Sequence, residues 1–262
     1  MWQRFGSIFS QLQKKSELVL MKSVRSFVSY KFFFTCKGGE DILIAGSCSD
    51  IVVGKDKTME LICLGDSLTY GYGVRSAQRW STLVGQALQC EVTNLGICGD
   101  TTGGMLVRLN TEIMPKLRNR TLGQRPFVLL MGGVNDIFYS GTDTGARANM
   151  GAMLQELLTA AARCVLLSPL AVSFDTLTPE WREMIRPACE EQIAAYHSWQ
   201  AAFCRTFGVS YVELYDLLRG PDGKPLPELY LDGLHPTAEG HRLMARRILA
   251  LPLFGQKCVD NK

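Results

Sequence analysis

The chain has nine cysteines but no Cys-x-x-Cys pair. An odd, scattered set argues against a disulfide framework and for free thiols in a reducing, cytoplasmic compartment. Cys63 and Cys164 lie inside apolar runs, where cysteine packs as a small hydrophobe. No apolar stretch is long enough to read as a transmembrane helix. Near the start, Lys14, Lys15 and Glu17 interrupt any apolar core that a signal peptide would need. Histidine is scarce, limited to His197, His235 and His241, and no His-Glu-x-x-His occurs. No internal repeat or low-complexity segment is evident.

Charge of one sign is also missing where a nucleic acid would require it. Residues 1–58 carry nine Lys/Arg against five Asp/Glu, whereas 59–262 carry 19 against 20. The larger segment is therefore near neutral and offers no electrostatic case for nucleic acid. A chain of 262 residues, 47% hydrophobic, can bury a core without disulfides or metals. Residues 1–58 mix basic residues, aromatics and serines, as in Ser26-Phe27-Val28-Ser29-Tyr30-Lys31-Phe32-Phe33-Phe34. They are expected to be an N-terminal extension, poorly ordered or not native to the domain, with translation starting naturally at Met59. A targeting or membrane-surface arm is the competing expectation.

What is present from Met59 onward is an alternation. Residues 60–64, 91–95, 127–131, 164–168 and 210–214 read as strands, most of them short apolar runs suited to burial on both faces. Trp80, Leu83, Val84, Ala87 and Leu88 recur at helical spacing, as do Met150, Met153, Leu154, Leu157 and Leu158. Trp181, Met184, Ile185, Ala188, Ile193, Tyr196 and Phe203 mark a long helix that Pro187 kinks or breaks. Pro236 fits the first turn of a last helix with Leu243, Met244, Ile248 and Leu251 on its apolar side. The class is α/β: a three-layer α/β/α domain over 59–262 with a five-stranded parallel sheet.

Four short segments interrupt this alternation. Gly65-Asp66-Ser67-Leu68 puts a serine where the first strand stops. Asp232-Gly233-Leu234-His235 supplies a carboxylate and an imidazole three residues apart. A serine hydroxyl needs a base to take its proton, and the base needs a group to orient it. Asn94-Leu95-Gly96-Ile97-Cys98-Gly99-Asp100 and Gly133-Val134-Asn135-Asp136 follow the second and third strands. Acyl transfer develops charge on a carbonyl oxygen, and fixed donors must face it. The Gly99 N–H, the Asn135 amide and the Ser67 N–H are candidates. Gly-x-Ser-x-Gly and His-Gly-Gly-Gly are both absent, which argues against an α/β-hydrolase elbow.

Ser67, Gly99, Asn135 and His235, in this order and context, resemble the four blocks of the SGNH (GDSL) hydrolase family, over about residues 59 to 254. The Gly-Asp-Thr at Gly99 is similar to the second block of lysophospholipase and arylesterase members. The resemblance implies a flavodoxin-like strand order and an esterase mechanism. Ser67, Asp232 and His235 would form the triad, and Ser67, Gly99 and Asn135 the oxyanion hole.

Each residue also has a plainer reading. Ser67 and Asn135 are residue types that cap helices. Gly99 suits a turn with positive φ. Asp232 and His235 would pass as loop residues. Asp66 is expected to hold the turn and Asp136 to buttress its loop. Asp232, His235 and His241 can be drawn as zinc ligands, but their spacing matches no zinc motif and would leave Ser67 unexplained. No metal and no cofactor is expected. Ile137, Phe138, Tyr139, Leu170, Val172 and Phe174 either line an acyl pocket or pack the loops. The partner is a small-molecule ester: short or medium acyl, aryl, thioester or lysophospholipid, or an O-acetylated carbohydrate. Acyl transfer to another alcohol, and a non-catalytic carbohydrate or lipid binder, stand as alternatives.

Overall fold

The computed structural model describes residues 59–121 and 125–254 fully, and the backbone of 21–26, 29–35 and 41–46. The chain divides into two compact units, Met1–Asp56 and Lys57–Lys262. In the first, β1 (Met21–Ser26), β2 (Ser29–Thr35) and β3 (Asp41–Gly46) form an antiparallel sheet in that order. The rest of residues 1–58, and with it most of what was expected there, lies outside the described residues.

The second unit alternates strands and helices. In chain order these are β4 (Glu60–Gly65), α1 (Ser67–Tyr70), α2 (Trp80–Leu88), β5 (Glu91–Gly96), α3 (Thr102–Arg108) and α4 (Met114–Arg118). Then come β6 (Phe127–Met131), α5 (Val134–Ser140), α6 (Thr144–Thr159) and β7 (Arg163–Leu167). The last are α7 (Pro179–Met184), α8 (Cys189–Phe207), β8 (Ser210–Val212) and α9 (Ala238–Leu249). The strands pair in parallel in the order β5-β4-β6-β7-β8. This is the flavodoxin-like order, with its switch point between β4 and β6.

The apolar runs sort by parity, because successive strand side chains point to opposite faces. Leu61, Cys63, Phe127, Leu129, Met131, Val165 and Leu167 pack on one face with Trp80, Val84, Met244 and Ile248 from α2 and α9. Ile62, Leu64, Val128, Leu130 and Leu166 pack on the other with Met105, Met150, Met153, Leu154 and Leu157 from α3 and α6. Burying each such side chain contributes roughly 1.5–3 kcal/mol. The result is three layers, as the short apolar strands require.

Of the two outcomes expected at Pro187, a kink or a break, the break is present: α7 stops at Met184 and α8 starts at Cys189, with Pro187 in the gap. Proline forces its predecessor out of the helical region and withholds an N–H. One local expectation needs correction. Pro236 lies outside the last helix, which Thr237 caps by accepting the Gly240 N–H at 3.4 Å. Pro236 instead pairs with Tyr230, and Leu231 N–H donates to the His235 carbonyl at 2.8 Å. The segment that carries Asp232 and His235 is thereby closed on itself.

Candidate functional site

Strand β4 ends at Gly65, and the four-residue α1 follows. A helix this short has no stability of its own in water. It is held by Asp66, whose side chain accepts the Leu68 N–H at 2.9 Å. The cap is therefore Asp66 and not Ser67, which occupies the first helical position with its hydroxyl free for another partner. That partner is His235: Ser67 Oγ stands 2.9 Å from His235 Nε2. His235 Nδ1 is 2.7 Å from Asp232 Oδ2. The two segments, 168 residues apart, meet at one end of the sheet.

Asp232 is heavily bonded. Its Oδ1 accepts the N–H groups of Leu234 (3.0 Å) and His235 (2.8 Å). Its Oδ2 also accepts the Trp181 indole N–H at 2.8 Å. Burial works to raise the Asp232 carboxyl, but the bonds from the His235 ring and backbone and from Leu234 outweigh it and hold the carboxyl well below the usual range. A carboxylate at Asp232 Oδ2 favours the tautomer with the proton on His235 Nδ1, which leaves Nε2 as an acceptor facing the Ser67 hydroxyl. Gly233, at φ +85°, makes the tight turn possible. A Cβ there would sit 2.7 Å from the Leu177 nitrogen.

The second and third blocks are bonded to the first and to each other. Ile97 N–H donates to the Gly65 carbonyl at 3.1 Å. Arg108 from α3 reaches the carbonyls of Gly65 (3.0 Å) and Leu95 and pairs with Asp100. Asn135 Nδ2 donates to the Asp100 carbonyl at 2.8 Å. That bond uses one amide hydrogen and aims the NH₂ group, leaving its second hydrogen available. Asn135 is the second residue of α5 and does not cap it, since Gly133 precedes the helix. Gly99 is exposed and has φ +76°, so the turn expected there is present. Asp136 buttresses its loop by accepting the Thr102 N–H (2.8 Å) and hydroxyl (2.5 Å).

Asp66 is 2% exposed. Burial pushes its carboxyl up to about 7, against the opposing Leu68 N–H and His235. His241 is buried on α9 with Nδ1 accepting the Trp80 N–H at 3.3 Å, and burial, then Arg79 and His235, lower it to about 4. Among the described residues, no group of three or more His, Cys, Asp or Glu could hold a metal. His197 stacks on Tyr215, with centroids 4.6 Å apart.

Of the residues offered for an acyl pocket, Ile137, Phe138, Leu170 and Val172 are buried in the core. Phe174 packs partly against that core. Tyr139 stands out at 62% exposure, and its hydroxyl would lie 3.6 Å from a Cβ at Gly99. Sequence reasoning missed Tyr72, whose ring lies 4.4 Å from the His235 ring, and Trp181, 5.7 Å from it. Tyr72, five residues past Ser67, carried no motif signal. Trp181 was read only as a helix-face residue. Among the described residues no helix is long and apolar enough to cross a membrane.

The profile of the GDSL-like lipase/acylhydrolase family matches residues 63–243. Among curated proteins, none matches this chain. Solved structures that resemble it include a G-D-S-L lipolytic protein of Veillonella parvula DSM 2008, 21% identical, with TM-score 0.61, covering 73% of this chain and 96% of that one. The aryl esterase of M. smegmatis is 18% identical at TM-score 0.59, covering 72% and 96%. Est24, a carbohydrate acetylesterase from Sinorhizobium meliloti, gives the same four figures. At these identities the structures show a shared fold. The profile spans more than half of the sequence and includes the segments that carry Ser67, Gly99, Asn135, Asp232 and His235, so the chain belongs to the GDSL-like lipase/acylhydrolase family.

Proposed function

We propose that the protein is a serine esterase that hydrolyses carboxylic esters of small molecules through an acyl-enzyme. The observation that carries this reading is the relay Ser67 Oγ, His235 Nε2, His235 Nδ1, Asp232 Oδ2, with contacts of 2.9 and 2.7 Å. His235 Nε2 takes the Ser67 proton as Oγ bonds to the ester carbonyl carbon. The carbonyl oxygen becomes an oxyanion facing the N–H groups of Ser67 and Gly99 and the free amide hydrogen of Asn135. Collapse breaks the bond to the alcohol, which leaves with the proton from Nε2. Water then loses a proton to Nε2, attacks the acyl carbon and releases the acid and Ser67. Asp66 and Asp136 serve by holding the turns.

The acyl range we propose is short to medium, with aryl esters and lysophospholipid-type esters as candidate substrates. Deacetylation of carbohydrates is the second reading. The exposed Tyr139 at the Gly99 turn and Tyr72 against the base offer an open aromatic rim that suits either. We place the reaction in the cytoplasm, a reading supported by six unpaired cysteines among the described residues. The test is Ser67→Ala, measured on p-nitrophenyl esters of increasing chain length. Turnover should be lost with the fold intact, and a fluorophosphonate probe should label only the unsubstituted protein. Full turnover in Ser67→Ala would refute the reading. An unlabelled Ser67 would favour a binding module, and a sharp preference for acetate would favour deacetylation of sugars.

A further inference from the structure

Residues 173–182, which follow β7, are strapped to the segment that carries the acid and base. Ser173 N–H donates to the Gly233 carbonyl at 2.8 Å, and Thr178 N–H to the Asp232 carbonyl at 3.3 Å. The third bond is made by a side chain, from Trp181 Nε1–H to Asp232 Oδ2 at 2.8 Å. That oxygen is the same one that faces His235 Nδ1.

We propose that Trp181 is a positioning residue for the base: its indole N–H shares Oδ2 of Asp232 with the imidazole, and so sets the orientation of that pair and the strength of the base. A carboxylate offers about four lone-pair sites. In Asp232 all four are taken, two on Oδ1 by the N–H groups of Leu234 and His235, and two on Oδ2 by Trp181 and His235. The carboxylate plane is thereby fixed, and with it the position of the imidazole.

The electrostatic consequence has a definite sign. Each donor draws charge from the carboxylate and weakens its hold on an imidazolium. Without the indole donor, more charge on Oδ2 faces the imidazole and the protonated base is favoured. The other charged or titratable groups beside His235 are Asp66, His241 and Tyr72, whose ring lies 4.4 Å from the imidazole. None of the three is bonded to the indole N–H. Arg182, beside Trp181, is engaged by the carbonyls of Leu177 and Asp175. A tryptophan that only filled space would affect stability and leave the pH response of the base alone.

This inference rests on the serine-esterase reading, and the experiment separates the two. In Trp181→Phe, the acid limb of the kcat/KM profile for p-nitrophenyl acetate should move up by roughly 0.5–1 pH unit, with kcat falling more than KM changes. In an Asp232→Asn background the same substitution should add no shift. A second measurement needs no variant. In the ¹⁵N-labelled full chain, the Trp181 indole N–H resonance should titrate at the midpoint of the acid limb. An unmoved limb in folded Trp181→Phe, or a flat Trp181 resonance across that limb, overturns the proposal. If Ser67→Ala lacks turnover while the limb stays put, only the Trp181 assignment falls. If Ser67→Ala keeps full turnover, the esterase reading falls and takes this assignment with it.

Discussion

Asp66 and Asp232 both lie beside the Ser67–His235 pair, the first buried and the second partly buried, and they are driven in opposite directions. Asp66 sits immediately before the serine and accepts the Leu68 N–H, and burial carries its carboxyl up to about 7. Asp232 reaches the serine through His235 and accepts from Leu234, from the backbone and ring of His235, and from Trp181. There the bonds overcome burial and the carboxyl is held far below its usual range. The two differ in depth as well as in donors: Asp66 is fully buried with one donor, and Asp232 is partly buried with four, so burial wins in the first and the bonds win in the second. One aspartate shapes a turn, and in the proposed mechanism the other is kept charged so that an imidazolium can form beside it.

The largest effect should come from breaking the charged member. Asp232→Asn removes the charge and favours the wrong imidazole tautomer, so kcat/KM should fall by about 10³–10⁴. Asp66→Asn keeps an oxygen that accepts the Leu68 N–H, and asparagine caps helices about as well as aspartate. Its kcat/KM should stay within roughly tenfold of the unsubstituted protein. The check is a parallel kinetic series at one pH. Equal losses in the two variants would mean that Asp66 also acts through its charge, and the contrast would fail.

The contrast was only half legible in the sequence. The Ser67, Asp232 and His235 segments declare themselves because each joins a chemically committed residue to a strand end or a loop. The strands were legible because burial on both faces leaves short apolar runs, such as Phe127–Met131, found at the expected bounds. Strand order was not, since neighbour choice depends on crossovers that no local pattern encodes, and it came from the family resemblance. The donors around Asp232 were equally hidden. Trp181 lies 51 positions away and looks like any apolar residue on a helix face. Arg108, which ties the second block to β4, reads as an ordinary cation near the end of a helix. Contacts that depend on long-range folding leave no periodicity to read.

A medium effect is expected in stability. Folding raises the Asp66 carboxyl from 3.8 to about 7. Between those values the folded state holds a proton that the unfolded state has released. Stability therefore declines as pH rises through that window, by up to about 1.4 kcal/mol per unit. Asp66→Asn has no such proton, so its stability relative to the unsubstituted protein should improve steadily from pH 4 to pH 7. Urea unfolding at several pH values measures that gap, and a gap that does not change with pH would show that Asp66 is ionised in the fold.

The smallest effect sharpens the same rule with a base in place of an acid. His241 is buried with Nδ1 accepting the Trp80 N–H, and its Nε2 has no hydrogen-bond partner in the structure. Protonation at Nδ1 would break the bond to Trp80 and leave a buried charge repelled by Arg79 and His235, in line with a pKa lowered from 6.5 to about 4. Between those values the unfolded state binds the extra proton. Stability is therefore complete above about pH 6.5 and declines as pH falls toward 4, the reverse of the Asp66 slope and nearly cancelling it over their shared window. His241→Gln keeps an acceptor for the Trp80 N–H and removes the titration. The unsubstituted protein should hold its advantage over this variant at pH 7 and lose part of it by pH 4.5, by no more than about 1.4 kcal/mol per unit. With its counterweight gone, the variant should also decline in stability between pH 4 and 7 more steeply than the unsubstituted protein. Parallel unfolding curves that keep a constant offset would mean that His241 titrates alike in the folded and unfolded states, and that burial beside Arg79 and His235 leaves this imidazole unaffected.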